Sequence, residues 1–169
     1  NPQQIDAVIL THAHIDHCGY IPLLVKNGFS KQIYCSPATK DLCSILLMDA
    51  AYIQEEQARE QKISPLYTLE DPMRALNRFH ITDFEYETSI EKAAKFTLYP
   101  AGHILGASFV VLKSHETSVL FSGDIGRFND PVMEPPANCI EADYMVLEST
   151  YGAHLHGTED PLHGLADYI

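Results

Sequence analysis

The chain has 169 residues, 46% of them apolar, which is enough for one domain with a packed core. It contains no run of about 18 apolar residues, so no segment reads as a membrane span, and Asn1-Pro2-Gln3-Gln4 carries neither the basic start nor the apolar stretch of a signal peptide. Eleven basic residues against 23 acidic ones give a net charge of −12, which counts against a basic nucleic-acid-binding face on this chain alone.

Taken in order, the first apolar run is Ile5 to Leu10, too short for a buried helix and read as a strand. It ends in Thr11-His12-Ala13-His14. A helix is expected to begin near Gly19, its positive amino-terminal end close to these histidines. Ile21 to Asn27, with Pro22 near its start and Gly28 as a stop, is a predicted helix. Ser36-Pro37 reads as an N-cap followed by a first-turn proline, opening a long helix to about Arg59 with Leu42, Ile45, Leu46 and Ile53 as its apolar face. On that helix Glu55, Glu56, Arg59 and Glu60 read as a solvated face. Thr68 with Asp71 and Pro72 starts a further helix to about Phe79. Strands follow at 96–99, 108–112, 119–121 and 144–147, with loops at 115–117 and 129–138. Strands interleaved with helices define an α/β protein. The cysteines Cys18, Cys35, Cys43 and Cys139 show no C-x-x-C spacing and predict reduced thiols and a cytoplasmic location.

Four of the strands deliver ligand-type side chains at their carboxyl ends. The first supplies His12-Ala13-His14-Ile15-Asp16-His17, four ligand-type side chains in six residues. Zinc takes imidazole nitrogen and carboxylate oxygen at about 2.0–2.2 Å. Two apart in an extended segment, His12 and His14 can grip one ion, while Asp16 and His17 past the bend can grip a second. A histidine-rich polar loop would explain one such residue but not four at this spacing directly after a strand. His103 follows a strand in Gly102-His103-Ile104-Leu105-Gly106, and Asp124 lies in Ser122-Gly123-Asp124-Ile125-Gly126. Each alone would be a turn residue, but with the first string each is a candidate ligand, and Asp124 has two oxygens with which to bridge two ions. The pair His154 and His156 has no accompanying cluster and reads as a solvated loop, and His80, His115 and His163 are lone histidines.

The H-x-H-x-D-H string, a later lone histidine and a later lone aspartate resemble, in that order, the metallo-β-lactamase superfamily. Tyr99-Pro100-Ala101-Gly102-His103-Ile104-Leu105-Gly106-Ala107-Ser108 and Glu148-Ser149-Thr150-Tyr151-Gly152 resemble its β-CASP branch of RNA-processing nucleases more specifically. The resemblance implies an αββα sandwich, incomplete here, with residues 1–169 a partial metallo-β-lactamase domain that lacks the amino-terminal strands and the β-CASP clamp. It implies two zinc ions: His12, His14 and His103 on the first, Asp16 and His17 on the second, Asp124 between them. Glu148 matches the acidic residue of the first β-CASP motif, which orients a histidine acting as general acid from a later motif. Asp16 and Glu148 are thus the candidate catalytic residues, and no substrate-binding residue is implied. The expected activity is zinc-dependent cleavage of RNA by a metal-bridged hydroxide, carried out by a longer protein, the piece alone being inert. Competing readings are another hydrolase of the same fold (a thioesterase or lactonase), a DNA nuclease, which tends to carry Asp where Glu148 stands, and an inactive scaffold subunit.

Overall fold

The computed structural model describes residues 1–90 and 94–154. The first half is a parallel three-stranded sheet in the order β1 (Ala7–Ile9), β2 (Gln32–Cys35), β3 (Phe79–Ile81). Helices α1 (Ile15–Cys18) and α2 (Ile21–Lys26) connect β1 to β2, and α3 (Pro37–Gln61) and α4 (Glu70–Leu76) connect β2 to β3. Parallel neighbours need such crossovers, because a hairpin can join only antiparallel strands. The second half is a five-stranded sheet, β4 (Thr88–Ile90) to β8 (Tyr144–Val146) in chain order, with β5 (Ala94–Pro100), β6 (Ser108–Ser114) and β7 (Thr117–Phe121) between. It is antiparallel except for the last pair. The expected strands are all present, and β2, β3 and β4 are additional. The predicted third helix stops at Leu76, and Phe79 instead begins β3, paired with Ile33.

Three apolar clusters define the layers. Helices α1 to α4 pack on one face of the parallel sheet through Cys18, Ile21, Val25, Cys43, Leu47 and Ala75. Between the two sheets, Phe96, Leu98 and Val110 meet Ile9 and Tyr34. Strand alternation turns Phe109, Val111 and Leu120 to the far face, against Ile125 of the loop after β7 and Ala137, Ile140 and Ala142 in and just beyond the proline-rich stretch. Among the described residues no helix covers that far face. The order is therefore helices, sheet, sheet and an irregular covering segment, a mixed α/β architecture consistent with a partial αββα sandwich.

Helix α3 begins as read, with Ser36 accepting from Thr39 N–H at 3.3 Å and Pro37 at its first position. Its buried stripe is Thr39, Cys43, Leu47, Ala51 and Ala58. Ile45 and Ile53, expected inside, are 67% and 46% exposed. Small residues at the contact let the helix sit close to the sheet, and the larger β-branched side chains face outward. Glu55 also departs from the solvated reading, since its carboxylate accepts Leu69 N–H at 2.8 Å and caps α4. No helix of the described residues is long and apolar enough to cross a membrane. Truncating the two α3 positions separates the faces: Leu47→Ala is expected to lower unfolding stability by about 2–5 kcal/mol. Ile45→Ala should stay within about 0.5 kcal/mol. Urea unfolding midpoints read both.

Candidate metal centre

Each strand end that carries a ligand-type side chain is tied to another. The Thr11 carbonyl, leaving β1, accepts both Ser108 N–H and Ser108 Oγ–H at 2.9 Å, joining the two sheets at one point. The loop between β5 and β6, which bears His103, is anchored at Gly106. The Gly106 carbonyl accepts the hydroxyls of Ser36 (2.7 Å) and Thr39 (2.9 Å) at the start of α3. Gly106 has φ +78°, and a Cβ there would stand 2.6 Å from Ser36 Oγ and Thr39 N, so no side chain fits. After β7, Gly126 N–H donates to the Ala101 carbonyl at 2.8 Å. A Cβ on Gly126 would lie 1.7 Å from the Gly102 carbonyl oxygen, so the Asp124 loop is pressed backbone to backbone against the His103 loop. Glu148, past β8, accepts Ile125 N–H at 2.8 Å and donates its own N–H to Ser122 Oγ at 3.0 Å.

The helix expected near Gly19 begins earlier. His14 is the N-cap of α1, and Asp16 lies in its first turn. The segment 12–14 therefore leaves the strand extended and the chain turns helical at once, which brings His17 back over His12, ring centroids 4.1 Å apart. Behind the turn the buried Cys18 thiol donates to the Ala13 carbonyl at 3.2 Å, and Tyr67 Oη donates to the Gly19 carbonyl at 3.2 Å.

With these ties in place, one ligand atom from each of His12, His14, His103 and Asp124 lies within 4.8 Å of the others. His14 Nδ1 is 3.1 Å from both His12 Nε2 and His103 Nε2. Asp124 Oδ2 is 3.5 Å from His12 Nε2 and from His103 Nε2. Four ligands at about 2.0–2.1 Å from one zinc, at tetrahedral corners, stand about 3.3–3.4 Å from each other. The donor set fits such an ion in chemistry, and the pairs His12–His14, His14–His103, His12–Asp124 and His103–Asp124 stand near that spacing at 3.1 to 3.5 Å. The other Asp124 oxygen, Oδ1, faces His17 Nε2 at 3.4 Å, and His17 Nε2 is 3.5 Å from Asp16 Oδ2. Asp124 thus turns one oxygen to each histidine group. Asp16 is the outlier, with a side chain 75% exposed that touches only the His17 end.

Electrostatics favour neutral imidazole at the centre. His12 is fully buried, and burial, then the neighbouring His17, lower its pKa to about 4, Asp124 opposing. Thr11 Oγ1 lies 3.1 Å from His12 Nδ1 and orients that ring with Nε2 toward the cluster. Glu148 is held below the usual carboxylate range, chiefly by the Ile125 N–H. Thr11, Ser108 and Cys18 escaped the sequence reading. Adjacency to the H-x-H string was the available signal for Thr11, and none existed for Ser108. Of the remaining histidines, His80 packs its ring on Tyr34 and His115 occupies a positive-φ hairpin position (φ 54°). His154 lies in a loop, and His156 and His163 lie outside the described residues.

Residues 1–167 match the family model of the metallo-β-lactamase superfamily. Among similar proteins, transcription termination factor FttA of Methanocaldococcus jannaschii is 35% identical over 90% of this chain and 24% of its own length. Ribonuclease TTHA0252 of Thermus thermophilus is 34% identical over 92% of this chain and 34% of its own. Cleavage and polyadenylation specificity factor 73 of Drosophila melanogaster is 30% identical over 90% and 22%. The chain spans about a quarter to a third of the length of these relatives. On its family match, and on likeness to these RNA-processing relatives, the chain belongs to the metallo-β-lactamase superfamily, in its β-CASP branch.

Proposed function

We propose that this chain is the metal-binding part of a zinc-dependent phosphodiesterase that cleaves RNA. The observation that carries the reading is the convergence of His12, His14, His103 and Asp124 within 4.8 Å. Support for RNA comes from relatives whose names are ribonuclease and cleavage and polyadenylation specificity factor. A reduced-thiol, cytoplasmic setting agrees with the free cysteines.

In this proposal His12, His14 and His103 hold one ion, Asp16 and His17 a second, and Asp124 spans both. Zinc, when bound, supplies Lewis acidity and lowers the pKa of water towards about 7. The protein's own contribution is placement. Burial keeps His12 uncharged at neutral pH, so its Nε2 lone pair is available without displacing a proton. Asp124 contributes negative charge where two cations would otherwise repel each other. Asp16, with a side chain 75% exposed, lies at the His17 end of the cluster. Glu148 is ionised and satisfied by backbone donors, so it positions the Asp124 loop and does not deliver a proton from this arrangement. Protonation of the leaving group falls to a histidine of a later family motif.

Replacing a central donor tests the reading. His14→Ala in the full-length protein should lower zinc content and reduce cleavage of single-stranded RNA at least about 100-fold. Wild-type cleavage by this variant, or turnover of a thioester or lactone with RNA left intact, would refute the proposal. Running single-stranded DNA beside RNA reads the preference between them. Thr11→Val removes only the hydroxyl behind His12. It should weaken zinc about 10- to 100-fold in chelator competition while the protein stays folded.

A further inference from the structure

Two depressions open beside the metal cluster and run into each other. One, of about 240 Å³, is lined by His103 and Asp124 together with Arg127, Glu148 and Tyr151. The other, of about 550 Å³, shares Arg127, Glu148, Thr150 and Tyr151 and continues to Phe128 and Gly152. Together they form one groove leading from the candidate reaction centre to the surface. Arg127 is the only Lys or Arg among the described residues that line it. Its backbone position is rigidly set, because Gly126 is pinned to Ala101 and Ile125 to Glu148. Two aromatic rings flank the groove with their surfaces in water, Phe128 at 73% and Tyr151 at 62% exposure. Neither belongs to an apolar cluster of the core.

The groove walls otherwise carry carboxylates, which repel a polyanion. Two of the three accept backbone donors, Glu148 from Ile125 N–H and Asp130 from Val132 and Met133 N–H at 2.8 Å, which disperses part of their charge but leaves both ionised. The third, Asp124, faces the cluster of histidines. A guanidinium three residues beyond Asp124, with two exposed rings lining the same groove, matches what an unpaired strand presents: a phosphate every nucleotide and unstacked bases. We propose that Arg127 binds the phosphate next to the scissile one, and that Tyr151, with Phe128, stacks the neighbouring base of a single-stranded RNA. This deepens the ribonuclease reading and rests on it, yet it concerns binding, which can be measured without turnover.

The test is fluorescence anisotropy of a labelled 12-nucleotide oligoadenylate with the full chain in excess chelator, over a salt series. Arg127→Ala should weaken binding about tenfold and flatten the slope of log affinity against log salt by about 0.7, the increment for one phosphate contact on a single strand. Arg127→Lys should keep the slope, and Arg127→Gln repeats the alanine test if the latter misfolds. Tyr151→Ala should weaken binding about tenfold with the slope unchanged, and Tyr151→Phe should bind as wild type. The proposal is overturned if Arg127→Ala keeps the wild-type slope, if the distant Arg59→Ala produces the same loss, if duplex RNA of equal length binds as well, or if the wild-type chain binds no RNA. Cleavage lost in His14→Ala with binding intact would still uphold the metal reading, so the two outcomes are separable.

Discussion

A single carbonyl oxygen, that of Thr11, joins the two halves of the molecule at the point where function is concentrated. By accepting both hydrogens that Ser108 can donate, it locks the end of β1 in the parallel sheet against the start of β6 in the antiparallel one. The residue after Thr11 is the buried His12, just beyond β1, and the loop preceding Ser108 carries His103. Side chains 91 positions apart in sequence are thereby brought to ring centroids 5.1 Å apart. The remaining ties act on the same frame. Gly106 fastens the His103 loop to the helix N-terminus, and the contact of Gly126 with Gly102 lays the Asp124 loop over it.

Gathering imidazoles and a carboxylate in a partly buried place is unfavourable unless the charges are balanced. A buried imidazolium among other imidazoles would be repelled and desolvated together, which is why His12 is driven to its neutral form. Neutral rings with converging lone pairs have too few hydrogens to satisfy one another, and a divalent cation resolves both problems at once. The surrounding groups are arranged to that end: Thr11 fixes a ring, Cys18 braces the turn behind the histidines, and Glu148 holds the Asp124 loop. A site so supported is placed by its neighbours and not by its own flexible side chains.

The net acidity of the chain is a property of its whole surface, against which the proposed RNA site has to be weighed. A net charge of −12 describes the whole surface, and helix α3 with its glutamates accounts for part of it. Near the cluster, carboxylates are engaged by backbone N–H groups, and the groove holds a guanidinium and two exposed rings.

The sequence alone determined the family, the broad fold class and which ligand-type residues were candidates. Four ligand-type side chains in six residues after a strand, and glycine-flanked His103 and Asp124, are local patterns whose spacing is meaningful before folding. Strands with strong β-formers and the Ser36-Pro37 helix start were legible for the same reason, being governed by near neighbours. The tertiary structure decided everything that depends on partners distant along the chain. Strands of three or four residues such as β3 and β2 carry too little pattern to be read and exist because a ladder pairs them, Ile33 with Phe79. Which face of α3 is buried was set by the close approach of the sheet, which admits Cys43 and Ala51 and leaves Ile45 in solvent. The partition of Asp124 between two histidine groups, and the groove beyond it, follow from loop contacts made through backbone carbonyls. Every residue has such a carbonyl, so side-chain identity carries no mark of which ones will be used.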